Sequence, residues 1–483
     1  MRPLLTAGFL SLLTLTLGCG GSGSTPTTNN SPASSSSTTT PPANSGTGTT
    51  TPPSTGTGTG TTTPPSTGTG TGNSTNPPNT GSSSGNKKVI GYFVSWGVYG
   101  RDYHVKNIVT SGSADKLTHI NFAFANIGSD YKVTIGDPYA DLDKYYSAAD
   151  SVDGVSDTWN TGVLRGSFHQ LKKLKAIYPE IKLLISVGGW TWSDKFSQMA
   201  MTQAGRATFI QSCIDIYIKG QFSSTLSSPG LFDGIDIDWE YPGAAGNTNN
   251  YSPEDTGNFT KLLSELRSAL DTQGAIDGKQ YLLTIAAPAG EAKFEKIEIG
   301  NIHPYLDFIN LMTYDFHGAW GSTTNFHSAL KGTTDDPTWS AKFWADNAIE
   351  SWLAGGVPPE KLVLGVPFYG RGWTGVSPGP NGDGLFQAGS GAAPGTYEAG
   401  MEDYKVLKNL IPTYNSYFHP EAEAFWIYDS GTGIFWSFDD TTSMTNKMNY
   451  IKAKDLGGAM FWELSGDDAQ GSLIEAIDTT LNN

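Results

Sequence analysis

The sequence predicts a closed (β/α)8 barrel of about 400 residues behind an unstructured N-terminal spacer. Three observations predict it. Composition changes abruptly at Lys87. From there eight short apolar runs alternate with stretches of helical periodicity. The fourth run ends in three carboxylates at alternate positions, Asp236, Asp238 and Glu240, a pattern that a buried strand tolerates only where it serves chemistry.

Residues 1–19 read as an export signal. Arg2 supplies the positive start, and residues 4–17 form an apolar stretch too short to span a bilayer. Leu15-Thr16-Leu17-Gly18-Cys19 resembles a bacterial lipobox, in which the Cys is acylated and becomes the mature N-terminus; Thr16 stands where such boxes usually carry Leu. The alternative is ordinary cleavage near Gly18 and release into the medium. Either route places the protein outside the cytoplasm, with membrane association only through a lipid on Cys19.

Residues 20–86 are Gly, Ser, Thr, Pro and Asn almost throughout, and the segment 49–60 recurs identically as 61–72. A polar 12-residue repeat has no face to bury. With almost no apolar surface the segment cannot offset its chain entropy, so a disordered linker is expected.

Residues 87–483 form the predicted catalytic barrel. Arg2 is the only charged residue before Lys87, so this part holds 29 of the 30 basic groups and all 46 acidic ones, a net charge of −17. That excess argues against a nucleic-acid partner, which needs a basic stripe. Of the two cysteines, Cys19 lies in the processing site, which leaves Cys213 alone and no intrachain disulfide expected. The apolar runs are 89–95, 117–125, 182–187, 232–240, 281–287, 308–314, 362–368 and 458–463. Helical stretches at 169–178, 207–218, 259–270, 341–353 and 444–453 separate most of them. Eight alternations of this kind favour a closed barrel over an open doubly wound sheet, and no Gly-rich phosphate loop follows the first run. The segment of about 372–434 is too long for a loop and reads as an inserted α+β subdomain.

Barrel chemistry sits at the C-terminal ends of the strands. Side chains alternate along a strand, so Asp236, Asp238 and Glu240 face the barrel interior, and Ile235, Ile237 and Trp239 face the helices. Crowded carboxylates raise the proton affinity of at least one member. A carboxylic acid kept protonated near neutral pH is what glycoside cleavage requires. A divalent-metal site is the competing chemistry. It is disfavoured because Asp233 has the wrong parity to join the cluster and the strand supplies no His. No cofactor or metal is expected.

Asp233-x-x-Asp236-x-Asp238-x-Glu240, followed by Tyr241-Pro242, resembles the signature of glycoside hydrolase family 18, the chitinases. Ser186-Val187-Gly188-Gly189-Trp190 is similar to the family's third-strand motif, Met312-Thr313-Tyr314-Asp315 to its sixth, and Gly458-Ala459-Met460-Phe461-Trp462-Glu463 to its eighth. The run from Tyr92 through Trp96 to Gly100 is similar to the first strand of bacterial chitinases. The resemblance covers about residues 88–475. The segment 372–434 is similar to the subdomain that walls one side of the groove in one chitinase subfamily.

The resemblance implies a retaining, endo-acting chitinase that cuts β-1,4-linked N-acetylglucosamine polymers without an enzymic nucleophile. Glu240 would be the acid. Asp238 would orient the substrate's acetamide, Asp236 would share a proton with Asp238, and Tyr314 would donate to the acetamide oxygen. Tyr92 and Ser186 would hold Asp236, Asp315 would contact the distorted sugar, and Trp462 would form the floor beneath it. Trp96, Trp190, Trp192, Trp239, Trp320 and Tyr369 are candidates for a sugar track, with Arg371 at a position that bonds sugar in the family. The expected partners are chitin or chito-oligosaccharides, bound by a monomer. Two alternatives stay open: an endo-β-N-acetylglucosaminidase acting on N-glycans, and a non-catalytic chitin-binding lectin.

Overall fold

The computed structural model describes residues 87–247 and 249–482. The signal, the lipobox Cys19 and the repeat-bearing segment lie outside the described residues.

Eight parallel strands close into a barrel: β1 (Lys88–Val94), β2 (His119–Ile127), β3 (Lys182–Gly188), β4 (Gly234–Asp238), β5 (Leu282–Pro288), β6 (Phe308–Met312), β7 (Leu362–Pro367) and β8 (Gly458–Trp462). They follow chain order around the sheet, and β1 pairs with both β8 and β2, which closes it. Each coincides with one of the eight apolar runs, to within a few residues at the ends. Taking one helix after each strand, the ring comprises α1 (Val105–Thr110), α2 (Gly166–Ile177), α3 (Gln203–Cys213), α4 (Asp255–Asp277), α5 (Ile299–Ile302), α6 (Ala345–Ala354), α7 (Thr441–Ala453) and, after β8, α8 (Ser472–Asn482), with shorter helical segments at Phe196–Met201, Glu291–Phe294 and Tyr404–Leu407. The first, fifth and last escaped the periodicity reading. The first and fifth are too short to show a 3.6-residue repeat.

Burial explains the continuous apolar strands. Their outward residues, such as Ile235 and Ile237 on β4, pack under the helices in the main core together with Trp239 just past the end of β4. Their inward residues, including Ile90, Tyr92, Phe308, Val363 and Met460, fill the barrel itself. A parallel strand is therefore buried on both faces. The same geometry makes Asp236, Asp238 and Glu240 costly unless each is compensated.

A second, antiparallel sheet follows β7. Its central path runs Gly391–Ala392, Tyr369–Thr374, Ile434–Phe438, Ala424–Asp429, Asn415–His419, and Met401–Asp403 also pairs with Tyr369–Thr374. It has its own core, built on Trp373, Leu385, Trp426, Tyr428 and Phe435, with Phe326 contributed by the loop after β6. The sheet thus extends from Tyr369 to Phe438, and Tyr369 and Arg371 belong to its first strand. Cys213 is buried with a free thiol at the end of α3. Among the described residues, no helix is long and apolar enough to cross a membrane.

Candidate active site

The site is built on the C-terminal end of β4. Strand alternation and the register of β4 against β3 and β5 set Ser186 and Thr284 beside Asp236, and Gly188 beside Asp238. Gly188 adopts φ +111°, and a Cβ there would stand 2.3 Å from the Asp238 carbonyl. The tight turn after β3 therefore requires glycine. It lets the Gly189 N–H donate to the Asp238 carbonyl at 2.8 Å.

The three carboxylates are nearly sealed from solvent, with Asp236 0%, Asp238 3% and Glu240 8% exposed, yet their compensation differs sharply. Asp236 is cradled. Tyr92 OH and Ser186 Oγ donate to its Oδ2 at 2.7 and 2.8 Å, and Thr284 Oγ1 and Asn310 Nδ2 donate to its Oδ1 at 2.6 and 3.4 Å. Burial still raises its pKa, and these four donors hold the rise back. Asp238 has no such shell: its buried Oδ1 has no hydrogen-bond partner among the described residues. Burial first, then the charges of Glu240 and Asp236, push its pKa well up. The environment thus favours the anion at Asp236, through its four donors, and the neutral form at Asp238.

Glu240 is held by its backbone. Its N–H donates to Ser193 Oγ at 2.8 Å, and that hydroxyl donates in turn to the Gly189 carbonyl at 3.0 Å. Burial raises the carboxyl to about 7; the neighbouring Tyr241 phenol and the charge of Lys293 oppose the rise. A group in that range is protonated in about half the molecules at neutral pH, as a general acid needs.

The opposite wall comes from the end of β6. Tyr314 is half-buried, with its hydroxyl 3.9 Å from Met460 Sδ and its ring edge-on to Tyr369 at 6.3 Å. Asp315 has a left-handed backbone, φ +55°. Arg371 grips its carboxylate through two bonds, Nε to Oδ1 at 2.7 Å and Nη2 to Oδ2 at 3.1 Å. His327 Nδ1 accepts the Asp315 N–H at 3.2 Å. Desolvation would raise the Asp315 pKa, but Arg371, with His327 and Tyr369, outweighs it and holds the group below its ordinary value.

Aromatic rings line the opening. Trp462 stacks on Phe124 with centroids 5.7 Å apart and lies 5.3 Å from Tyr92 and 6.3 Å from Trp96. Trp96, Trp190 and Trp320 are exposed, and Arg371 covers Trp320 at 5.1 Å. Tyr369 is buried behind Asp315, with its ring 4.7 Å from His327.

The fold thus gathers Tyr92, Ser186, Asp236, Asp238, Glu240 and Tyr314 at one end of the barrel, with Asp315 and Arg371 as a linked pair in its wall. One sugar-track candidate is corrected. Trp239 is 1% exposed and stacks on Phe196 at 5.2 Å, with Phe259 edge-on. The alternation of β4, carried one residue past its end, sends it under the helices. Asp233 likewise turns away from the cluster, accepting from Lys175 and the Leu183 N–H. Thr284, Asn310, Ser193, His327 and Lys293 were missed. Thr284 and Asn310 carried a signal, since each is a lone polar residue at an inward position of an apolar strand. Ser193 and His327 lie in loops and Lys293 in a single helical turn, where spacing says nothing about contact. Among the described residues, no group of three or more His, Cys, Asp or Glu is arranged to hold a metal ion.

The sequence profile described as Glycosyl hydrolases family 18 matches residues 88–467. Chitinase C of Streptomyces lividans is 44% identical over 387 residues, covering 79% of this chain and 58% of that protein. Chitinase 63 of Streptomyces plicatus is 43% identical over 397 residues, covering 81% and 60%. This chain therefore spans about three fifths of the length of these curated relatives. Among solved structures, the catalytic domain of psychrophilic chitinase B from Arthrobacter TAD20 superposes with a TM-score of 0.77 at 39% identity, over 82% of this chain and 95% of that one.

Proposed function

The chain belongs to glycosyl hydrolase family 18, and from that premise we propose that it is an endo-acting chitinase. It hydrolyses β-1,4 bonds between N-acetylglucosamine units with retention, through attack by the substrate's own acetamide. The observation that carries this reading is the pairing of a raised Glu240 with an unpartnered Asp238 oxygen two residues back on the same strand face.

Glu240 gives its proton to the glycosidic oxygen as the bond to the anomeric carbon breaks. The acetamide carbonyl oxygen attacks that carbon from the other side and closes an oxazolinium ring. Asp238 accepts the acetamide N–H on its free oxygen, which orients the nucleophile and balances the charge of the ring. Tyr314 donates to the acetamide oxygen. The cradle on Asp236 lets that residue keep the negative charge while Asp238 moves. Water, deprotonated by Glu240, then opens the ring. A carboxylate nucleophile would have to approach from the face opposite the acid, and Asp238 shares the face of Glu240.

Trp462 forms the floor beneath the scissile sugar, and Trp96, Trp190 and Trp320 carry the chain. Export behind residues 1–19, with acylation of Cys19, places the enzyme outside the cytoplasm on a polar spacer; Cys19→Ser should release it from membranes without changing its specific activity. The deciding experiment is a product time course on a chitin hexamer with anomer analysis, for wild type and Glu240→Gln. The β-anomer should form first, and the Gln variant should lose a factor of about 10²–10⁴ in turnover while still binding. Initial α-anomer, or cleavage after glucosamine in fully deacetylated chitosan, would refute the mechanism.

A further inference from the structure

The acid of this site stands in a crowd of negative charge. Near Glu240 are Asp238 and Asp236 on the strand that precedes it, Tyr314 and Asp315 from the end of β6, Tyr241 beside it, and Lys293 from the helical turn after β5. Two cations are near. Arg371 is bound to Asp315 through two hydrogen bonds, so its charge is matched locally. Lys293 is different. It sits in the helical turn Glu291–Phe294, half-buried, and its ammonium makes no ion pair and no hydrogen bond among the described residues. It lies instead over the Tyr241 ring, with Nζ 3.8 Å from the centroid. Tyr241 is itself buried and directly follows Glu240 in the chain, and its phenol acts to hold down the proton affinity of the Glu240 carboxyl.

We propose that Lys293 is a positioning residue for the acid. It clamps the Tyr241 ring so that the phenol points at Glu240, and it supplies the positive charge that the carboxylate needs once its proton has left. The inference rests on Glu240 being the acid. A cation over the face of a phenol withdraws electron density and strengthens the O–H as a donor. Glu240 is neutral before it protonates the leaving oxygen and negative afterwards. The attraction of Lys293 therefore grows along the reaction, which raises turnover rather than substrate affinity. The charges support this. Glu240 and Asp315 act to raise the proton affinity of Lys293 against the larger opposing effect of its burial, and Lys293 in turn restrains the rise at Glu240.

The test uses the full chain on a chitin hexamer, with kcat and KM measured across pH for wild type, Lys293→Met, Lys293→Gln and Lys293→Arg. Removing a cation beside a carboxyl raises its pKa, and the acid works protonated. The alkaline limb should therefore move up, by about half a pH unit or more in both neutral variants. Their kcat near neutral pH should fall by about tenfold with KM within about twofold, and Arg should restore both. In a Tyr241→Phe background the effect of Lys293→Met on kcat should shrink, because the relay through the hydroxyl is gone. An alkaline limb that does not move in neutral variants melting like wild type overturns the inference, as does a raised KM with unchanged kcat, which would make Lys293 a substrate contact. A wild-type enzyme that leaves the hexamer intact fails the parent reading instead, so the two failures are separable.

Discussion

Replacing Glu240, the proposed acid, should make the folded chain more stable above neutral pH while it sharply lowers turnover. Glu240 is nearly sealed from water, and burial raises its carboxyl from an ordinary 4.5 to about 7. Between those values the folded protein holds a proton that the unfolded chain has released. Stability therefore falls as pH rises through the window. At about 1.4 kcal/mol for each tenfold change in proton affinity, the loss amounts to about 3 kcal/mol. Glu240→Gln keeps the shape and removes the titration. It also removes a charge that raises Asp238, which acts in the same direction. The assay is calorimetric melting of both proteins at about pH 4 and about pH 8, read as a difference of differences so that any fixed cost of the amide cancels. With an unfolding entropy of about 2.1 cal/mol/K per residue over roughly 400 residues, the variant should gain about 4 °C relative to wild type between the two conditions. Melting temperatures that run parallel across that range would refute the claim that burial holds a proton on Glu240.

Other sites give sharper separations of stability from activity. Trp239→Ala removes a ring buried against Phe196 and Phe259 and should cost about 3–5 kcal/mol in denaturant unfolding; Trp190→Ala, on an exposed ring, should leave stability unchanged and raise KM for the hexamer. Thr284→Val deletes the 2.6 Å bond to Asp236, worth about 1.5–3 kcal/mol to the charged form. Losing a donor raises the proton affinity of that carboxylate, so the acid limb of the rate profile should move to higher pH and kcat should fall. Lys447→Met strands Asp439, since Lys447 and Asp439 form a 2.6 Å pair with both side chains at most 2% exposed; unfolding should show a loss of about 3–5 kcal/mol, partly recovered by adding Asp439→Asn. Exhaustive chelation should leave hexamer cleavage intact, because both Asp236 oxygens already accept hydrogen bonds from protein donors; loss on chelation with rescue by a divalent ion would revive a metal reading of the column.

Much of the architecture was legible in the order of residues. Eight apolar runs became eight barrel strands because a parallel strand is buried on both faces and admits little else. The same rule made the acids at alternate positions along and just past β4 conspicuous, and parity alone separated them from Asp233. It also sent Trp239 under the helices, where proximity to the motif had suggested a place on the sugar track. What the order of residues could not decide is which side chains meet across the barrel. Asp236 takes donors from β1, β3, β5 and β6, segments up to 144 positions away along the chain, and only closure of the sheet brings them within 3.5 Å. The difference between a cradled Asp236 and an unpartnered Asp238 is likewise invisible in Asp-x-Asp, since both positions read alike. It arises because register sets Ser186 and Thr284 beside the first and a glycine turn beside the second. Lys293 and His327 belong to the same class. Lys293 lies in a short helical turn and His327 in a loop, both in connections whose path depends on packing, and long-range contacts of that kind follow from the closed fold rather than from local pattern.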